Sequence, residues 1–178
     1  MHSAPEEILT ERLLLRKPRL SDGQLVYDRY ASDPEVRSFL LFPPPKGVED
    51  SNEFIERCLS VWKKGTAYPY AIERSGDGEF LGMVEIRMEG HKADIGYVIA
   101  RDAWGQGYAS EAAKVLVDWA LGQKQIYRVW AFCDAENKAS ARVMEKAGLK
   151  YEGRLKRYIV HRNISSEPRD ALVYAKTK

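Results

Sequence analysis

The sequence predicts an α/β fold in which helices cover both faces of a mixed sheet. Two observations support this prediction: the apolar residues change between the period of strands and that of helices, and strands and helices alternate in the second half of the chain. The 178 residues are enough to bury a substantial core. No repeat, low-complexity tract or Ser/Gly-rich linker divides them, so we expect a single domain over residues 1–178.

Apolar runs, capping residues and prolines define the elements of the first half. An apolar run that lies between charged residues and ends at Pro18 indicates a first strand. Two capping positions each begin a short helix, and three successive prolines then exclude helix and interior strand. Apolar residues at helical spacing predict a longer helix, which Gly65 ends. In order, these elements are a strand at Glu11–Lys17, short helices that begin at Ser21-Asp22 and Asp33-Pro34, a loop at Phe42–Gly47 and a helix at Val48–Lys64.

The second half begins with three strands in succession and then alternates. Ser75-Gly76-Asp77-Gly78 and Glu89-Gly90 are turn signals between strand-like runs, which indicates antiparallel neighbours. Gly122 and Gly148 end two segments in which apolar residues recur at helical spacing. The predicted elements are strands at Tyr68–Glu73, Phe80–Met88 and Ala93–Ala100, a helix at Ala109–Leu121, a strand at Arg128–Cys133, a helix at Asn137–Ala147, and strands at Leu149–Val160 and Ala171–Lys176.

The composition excludes several classes of function. The 28 basic and 26 acidic residues leave a net charge of +2, which argues against nucleic acid or an anionic membrane as the main partner. The first residues lack the apolar region of a signal peptide, which favours a soluble cytoplasmic protein. Cys58 and Cys133 predict two free thiols. The histidines His2, His91 and His161 have no partner at metal-ligand spacing and are expected at the surface, so no metal is expected.

The most informative motif is the glycine-rich segment Gly105–Ser110, which lies between a predicted strand and a predicted helix. Unpaired backbone N–H groups at the positive end of a helix dipole form an anion site, and the glycines at 105 and 107 let a pyrophosphate approach the backbone. Taken alone, such a segment is more often a tight turn. A dinucleotide fingerprint would need a third glycine where Ser110 stands, and a P-loop would need Gly-Lys-Ser/Thr, which is absent.

The segment resembles the pyrophosphate loop of the GCN5-related N-acetyltransferase (GNAT) superfamily, and more narrowly its ribosomal-protein alanine N-acetyltransferase (RimJ/RimL-like) branch with its small-molecule relatives. The likeness covers Thr10 to Lys176. The segments that carry it are the opening strand Glu11–Arg16, the strand Asp94–Ala100, the loop Trp104–Ala112, the segment Asn137–Ser140 and the segment Glu145–Leu149.

The resemblance implies a mostly antiparallel, twisted sheet with a splayed central strand pair, and acetyl-CoA as the cosubstrate. The acceptor would be an amine, either a small molecule or a protein N-terminus, that attacks the thioester directly in a ternary complex. A backbone N–H of Val98 or a close neighbour would polarise the thioester carbonyl. The resemblance leaves room for a homodimer. The cofactor-binding residues that it implies are Val98, Ile99, Ala100, Gly105, Gln106, Gly107, Tyr108, Ala109, Ser110, Asn137 and Ser140.

The resemblance is less complete for the catalytic residues. Met144 occupies the position of a tyrosine that protonates the departing thiolate in many relatives, and Ser140 is the preferred replacement. Ser140 could instead only bond a backbone carbonyl at the helix start. Asp94 and Glu85 are the candidate bases, although Glu85 could equally be a salt-bridge partner of Arg87. His161 and Tyr158 are lesser acid/base candidates. The rival function is a coenzyme A-binding module without turnover, which the absent tyrosine motivates.

Overall fold

The computed structural model describes residues 4–178, and their strands form one eight-stranded sheet. The strand order across the sheet is β1-β2-β3-β4-β5-β6-β8-β7. Every neighbouring pair is antiparallel except β5 and β6, which are parallel. The strands are β1 Glu7–Leu9, β2 Leu13–Arg16, β3 Ala67–Arg74, β4 Phe80–Glu89, β5 Lys92–Ile99, β6 Arg128–Asp134, β7 Lys150–Ile159 and β8 Arg169–Thr177.

Helices pack on both faces of this sheet, so the predicted fold class is confirmed. The helices are α1 Asp22–Val26, which continues as a π-helical turn Tyr27–Ala31, then α2 Pro34–Arg37, α3 Val48–Lys64, α4 Tyr108–Gly122 and α5 Lys138–Lys146. We call the face that packs against α4 and α5 the back face, and the face that packs against α1 and most of α3 the front face. Within residues 4–178, no helix has the length and apolarity needed to cross a membrane.

The central strands β5 and β6 diverge along their length. They pair only at three positions, Lys92–Asp94 with Arg128–Trp130. Beyond these positions β5 stays paired with β4, and β6 stays paired with β8. A wedge-shaped cleft therefore opens between residues 95–99 and residues 131–134, with both strand C-termini at its open end. This cleft is the splayed strand pair that the resemblance implied.

The start of the chain departs from the sequence prediction in two ways. A first short strand, β1, precedes the predicted one, which begins at Leu13 rather than Glu11. Ser21 does not cap α1, because it is itself in the helical region and its side chain makes no capping hydrogen bond. Asp22 instead accepts two hydrogen bonds of 2.8 Å from the buried guanidinium of Arg16. This pairing compensates two charges that are both almost fully buried.

Candidate active site

The glycine-rich segment folds as the sequence predicts, with Gly105 at φ +75° and Gly107 at φ +85°. Helix α4 begins at the next residue, and its first paired N–H belongs to Glu111, which donates to the carbonyl of Gly107 at 3.1 Å. In the described part of the chain, the N–H groups of residues 105–110 are left without an acceptor. Two glycines in the left-handed region therefore shape a turn of free donors at the positive end of a 15-residue helix. Such a turn can bind a pyrophosphate.

Side-chain hydrogen bonds attach this turn to the end of β5 and hold its shape. The indole Nε1 of Trp104 donates to the carbonyl of Ile99 at 2.8 Å, and the amide of Gln106 donates to the carbonyl of Asp102 at 3.1 Å. Of the predicted binding residues, Tyr108 has a buried ring, so it offers only its backbone N–H to a ligand. The loop therefore presents backbone N–H groups to a ligand, because the side chains of Trp104 and Gln106 stabilise its own structure.

Arg12 and Glu111 clamp the turn to the start of β2, a contact between residues 99 positions apart that the sequence did not reveal. Glu111 accepts hydrogen bonds from the hydroxyl of Thr10 at 2.6 Å, the backbone N–H of Arg12 at 2.9 Å and the guanidinium of Arg12 at 2.8 Å. The same guanidinium donates to the carbonyl of Gln106 at 2.9 Å. A free carboxylate here would repel a phosphate, but Arg12 neutralises it.

This clamp predicts a pH-dependent stability. Burial alone would raise the pKa of Glu111, but the hydrogen bonds from Thr10 and Arg12 outweigh it and lower the pKa below 4.5. A carboxyl with a lowered pKa stabilises the fold above its unfolded pKa, and this contribution disappears as the pH falls through the folded pKa. We expect Glu111→Gln to reduce the free energy of unfolding by about 1 kcal/mol near neutral pH, since Arg12 is partly exposed.

Urea denaturation of both proteins at neutral pH and at several pH values below 4.5 measures this difference. The difference should shrink steadily over the acid range. Glu89→Gln is the matched control, because Glu89 forms an exposed ion pair with Lys92 and its replacement should change the stability little. A difference for Glu111→Gln that stays constant down to the acid transition would contradict the assigned role.

A hydroxyl pair lies on the back-face side of the cleft, where β5 meets the start of α5. The hydroxyls of Tyr97 and Ser140 are 2.8 Å apart, where either can be the donor, and the Ser140 carbonyl is an alternative acceptor for the Tyr97 proton at 3.0 Å. Asn137 caps α5 by accepting the Ser140 N–H at 3.0 Å. Burial raises the pKa of Tyr97 and, in the neighbouring Cys133, raises the thiol pKa to about 11. The Tyr97 hydroxyl and the Cys133 thiol are therefore both protonated near neutral pH.

The backbone of β5 determines which peptide groups face the cleft. The N–H of Ala100 donates to the carbonyl of Leu81 at 2.8 Å, and a Cβ at Gly82 would lie 2.1 Å from the carbonyl oxygen of Val98. Ala100 and Val98 thus direct their backbone groups towards β4. Because successive residues of a strand alternate, Tyr97 and Ile99 direct theirs into the cleft. Of the predicted carbonyl-polarising donors, the neighbours of Val98 are better placed than Val98 itself.

The two candidate bases, Asp94 and Glu85, lie on the front face and share one partner. The guanidinium of Arg87 donates to Asp94 at 2.7 Å and to Glu85 at 2.7 Å. Asp94 also marks the apex of the cleft, since it occupies the last paired position of β5 with β6. Both carboxylates are therefore charge-compensated, as the salt-bridge alternative for Glu85 proposes. An amine in the cleft would compete with Arg87 for them.

The histidines differ in their environments. His161 is only 3% exposed, so the expectation that it lies at the surface is wrong, because the β7–β8 connection folds it inward. His91 lies exposed in the β4–β5 turn, and His2 falls outside the described residues. Across residues 4–178, no three His, Cys, Asp or Glu side chains form a group that could hold a metal ion. Cys58 and Cys133 are both free and buried.

Comparison with known proteins identifies the family. The protein-family model for the "Acetyltransferase (GNAT) domain" matches residues 12–150. The chain is 31% identical over 156 residues to the uncharacterized N-acetyltransferase p20 of Bacillus licheniformis, a match that covers 86% of this chain and 87% of that protein. Its fold is similar to that of a GNAT-family acetyltransferase from Bacillus anthracis, with a TM-score of 0.84, 29% identity and coverage of 96% and 98%.

A second solved structure shares the fold at lower identity. It is RimL, a ribosomal L7/L12 alpha-N-protein acetyltransferase in complex with coenzyme A, with a TM-score of 0.86, 21% identity and coverage of 97% of this chain and 98% of that one. The family match spans most of this chain and includes the turn of free N–H groups, the splayed strands and the start of α5. The chain therefore belongs to the GNAT family and is an acetyl-CoA-dependent N-acetyltransferase.

Proposed function

We propose that the chain transfers an acetyl group from acetyl-CoA to an amine by direct attack in a ternary complex within the cleft between β5 and β6. The observation that carries the proposal is the continuity of two binding features. A single 3-10 turn, Arg101–Ala103, connects the turn of free N–H groups at 105–110 to β5, whose cleft edge is not paired with β6 beyond Asp94. A pyrophosphate on the turn would direct an attached chain of amides along that edge.

Coenzyme A would use these donors in order. The N–H groups from Gly105 to Ser110 hold the pyrophosphate, and the cleft-facing backbone groups of Tyr97 and the N–H of Ile99 hydrogen-bond the pantetheine amides, since the Ile99 carbonyl already accepts from Trp104. Asn137 uses its side-chain oxygen to cap α5, which leaves its amide NH₂ for the pantetheine. The N–H of Tyr97 or Ile99 polarises the thioester carbonyl, so orientation and polarisation both come from the backbone.

The thiolate would receive its proton from the Ser140 and Tyr97 pair. Residue 144 of helix α5 is a methionine that packs in the core, so this position offers no phenol. Tyr97 supplies one from β5 instead, within 2.8 Å of the Ser140 hydroxyl. Because a serine hydroxyl is a weak acid, Ser140 acts best as a relay that gives its proton to sulfur and takes one from Tyr97.

The acceptor would approach from the front face. Aromatic side chains line this face beside the cleft: Trp130 and Phe132 have ring centroids 6.0 Å apart, and Tyr158 packs edge-on against Phe132 at 5.5 Å. Tyr158 remains half exposed, so the row can contact an acceptor. Such a surface suits an amine through cation–π attraction, whether that amine belongs to a small molecule or to a protein N-terminus. The free thiols of Cys58 and Cys133 are compatible with a cytoplasmic location.

Thiol release from acetyl-CoA tests this function. Purified protein is mixed with acetyl-CoA and separate panels of small amines and N-terminal peptides, and the acetylated product is identified by mass spectrometry. We expect release that depends on the acceptor and equals the amount of product formed. A coenzyme A-binding module without turnover would bind the cofactor tightly and release no more thiol with any acceptor than without one.

A further inference from the structure

His161 lies on the front-face side of the cleft's open end. Asp134 is the last residue of β6, and its side chain points to the front face because the preceding Cys133 packs in the back-face core. The Nε2 atom of His161 lies 3.7 Å from the Asp134 carboxylate. The hydroxyl pair of Tyr97 and Ser140 lies across the cleft from this carboxylate, on the back-face side.

The surroundings of His161 fix its position but leave its ring nitrogens unsatisfied. Its ring packs edge-on against Phe39, with centroids 6.1 Å apart. Two residues further on, the amide of Asn163 donates to the carbonyls of Arg37 at 2.9 Å, Leu40 at 3.1 Å and Phe42 at 3.2 Å, which anchors the β7–β8 connection to the loop after α2. Within residues 4–178, neither ring nitrogen has a hydrogen-bond partner.

Two unpaired nitrogens on a ring that is 97% buried are unusual, because a buried polar group without a partner is costly. Such a group is explained when a ligand or water completes its hydrogen bonds. Burial of the ring and the Asp134 carboxylate near Nε2 favour a neutral imidazole in which one nitrogen is a hydrogen-bond acceptor. Nε2 faces a carboxylate and would carry the proton, which leaves the lone pair of Nδ1 free.

We propose that His161, which lies beside Asp134, accepts the proton that the acceptor amine loses during acetyl transfer. The inference rests on the proposed function and assigns a group to its proton transfer. The amine nitrogen attacks the thioester carbonyl carbon, so a C–N bond forms and the C–S bond breaks. One proton passes from that nitrogen through a water to Nδ1 of His161, because this atom is buried and an amine in the cleft would not contact it directly. The sulfur receives a separate proton from Ser140, so one amide and one thiol result.

His161 is better suited to this step than Asp94 or Glu85. Both carboxylates already accept hydrogen bonds from Arg87, so an amine would have to displace this guanidinium to reach their oxygens. The charged groups that act on His161 are Asp134 of β6 and Arg169 of β8. Arg169 donates hydrogen bonds to the Asp134 carboxylate at 2.5 and 3.1 Å, so this carboxylate is shared between the guanidinium and the imidazole. Burial lowers the pKa of His161 below 6.5, and the attraction of Asp134 only partly offsets it. The ring is therefore neutral near pH 7, and Asp134 would stabilise the imidazolium that forms.

The test compares kcat/KM across pH for the wild type, His161→Gln and His161→Asn, with an acceptor that the wild type acetylates. We expect each variant to lose at least about tenfold in kcat, since a positioned base contributes roughly 100-fold or more. The affinity for coenzyme A should stay within about threefold of the wild type. The wild-type kcat/KM should fall at a pH below 6.5, as the pH drops through the lowered pKa of His161, and this acid limb should be missing in the variants. The acceptor amine titrates in the same way with all three proteins, so a difference between their pH profiles comes from the enzyme.

His91→Gln is the matched control, because it removes an exposed imidazole from the β4–β5 turn and should leave the rate and pH profile unchanged. Both His161→Gln and His161→Asn are made because one of them could fail to fold. Thermal melts show which variants are folded, and a single folded variant is enough for the test. The inference is overturned if a folded variant keeps the wild-type rate and acid limb, or loses coenzyme A binding as much as turnover. If the wild type itself acetylates no acceptor, the proposed function fails before His161 is tested.

Discussion

Replacing Gly107 with valine is expected to weaken the binding of acetyl-CoA at least about 100-fold, while the chain remains folded. Gly107 has φ +85°, a conformation that costs an L-residue about 1–2 kcal/mol and a β-branched residue more. Relief of this strain would rotate the peptide groups of the turn away from the pyrophosphate. Two lost hydrogen bonds to a charged ligand are worth about 3 kcal/mol, which corresponds to the stated loss of affinity.

Calorimetric titration with coenzyme A measures the effect, and a thermal melt checks the fold. Gly122→Ala is the matched control at the other end of α4: a Cβ there meets no atom within 4 Å, and its φ is not in the left-handed region. This variant should bind as the wild type does. If the Gly107→Val protein binds equally well, the pyrophosphate does not occupy this turn.

Replacing Ser140 with alanine is expected to lower kcat about 100-fold with less than a threefold change in coenzyme A affinity. The substitution removes the hydroxyl that connects Tyr97 to the sulfur but keeps the N–H that Asn137 caps. Tyr97→Phe should have a similar effect, and the double variant should be little slower than either single one, because the two hydroxyls act as one relay.

Pre-steady-state and steady-state thiol release measure these rates, and calorimetry measures the affinities. Ser110→Ala serves as the matched control, since Ser110 would contribute only its backbone N–H, which alanine retains. An unchanged kcat for Ser140→Ala would remove the relay from the mechanism. Strictly additive losses in the double variant would show that Tyr97 and Ser140 act independently.

The elements that the sequence predicts well are those with strong local signals. Helix α3 spans Val48–Lys64 as predicted, because an amphipathic pattern ends at Gly65, which adopts φ +69°. The turn before α4 is similarly well predicted, since Gly105 and Gly107 are residues that a left-handed turn requires. The apolar period and the position of a glycine depend only on residues that are close in the sequence. One sequence is therefore enough to predict the elements that they define.

The features that the sequence misses depend on contacts between distant residues. β1 has only three residues and forms because β2 offers it an edge. The Arg12–Glu111 clamp and the Tyr97–Ser140 pair join residues 99 and 43 positions apart. Tyr97 alternates as a strand residue should, and nothing local distinguishes it from a core tyrosine. The burial of His161 depends on where the β7–β8 connection docks, which the residues around it do not specify.

The crystal structure of the chain with bound coenzyme A tests the central claim most directly. The account predicts the pyrophosphate on the N–H groups of residues 105–110, the pantetheine along the cleft edge of β5, and the sulfur within hydrogen-bonding reach of the Ser140 hydroxyl. Coenzyme A bound away from the cleft between β5 and β6, or with its sulfur remote from Ser140, would contradict it.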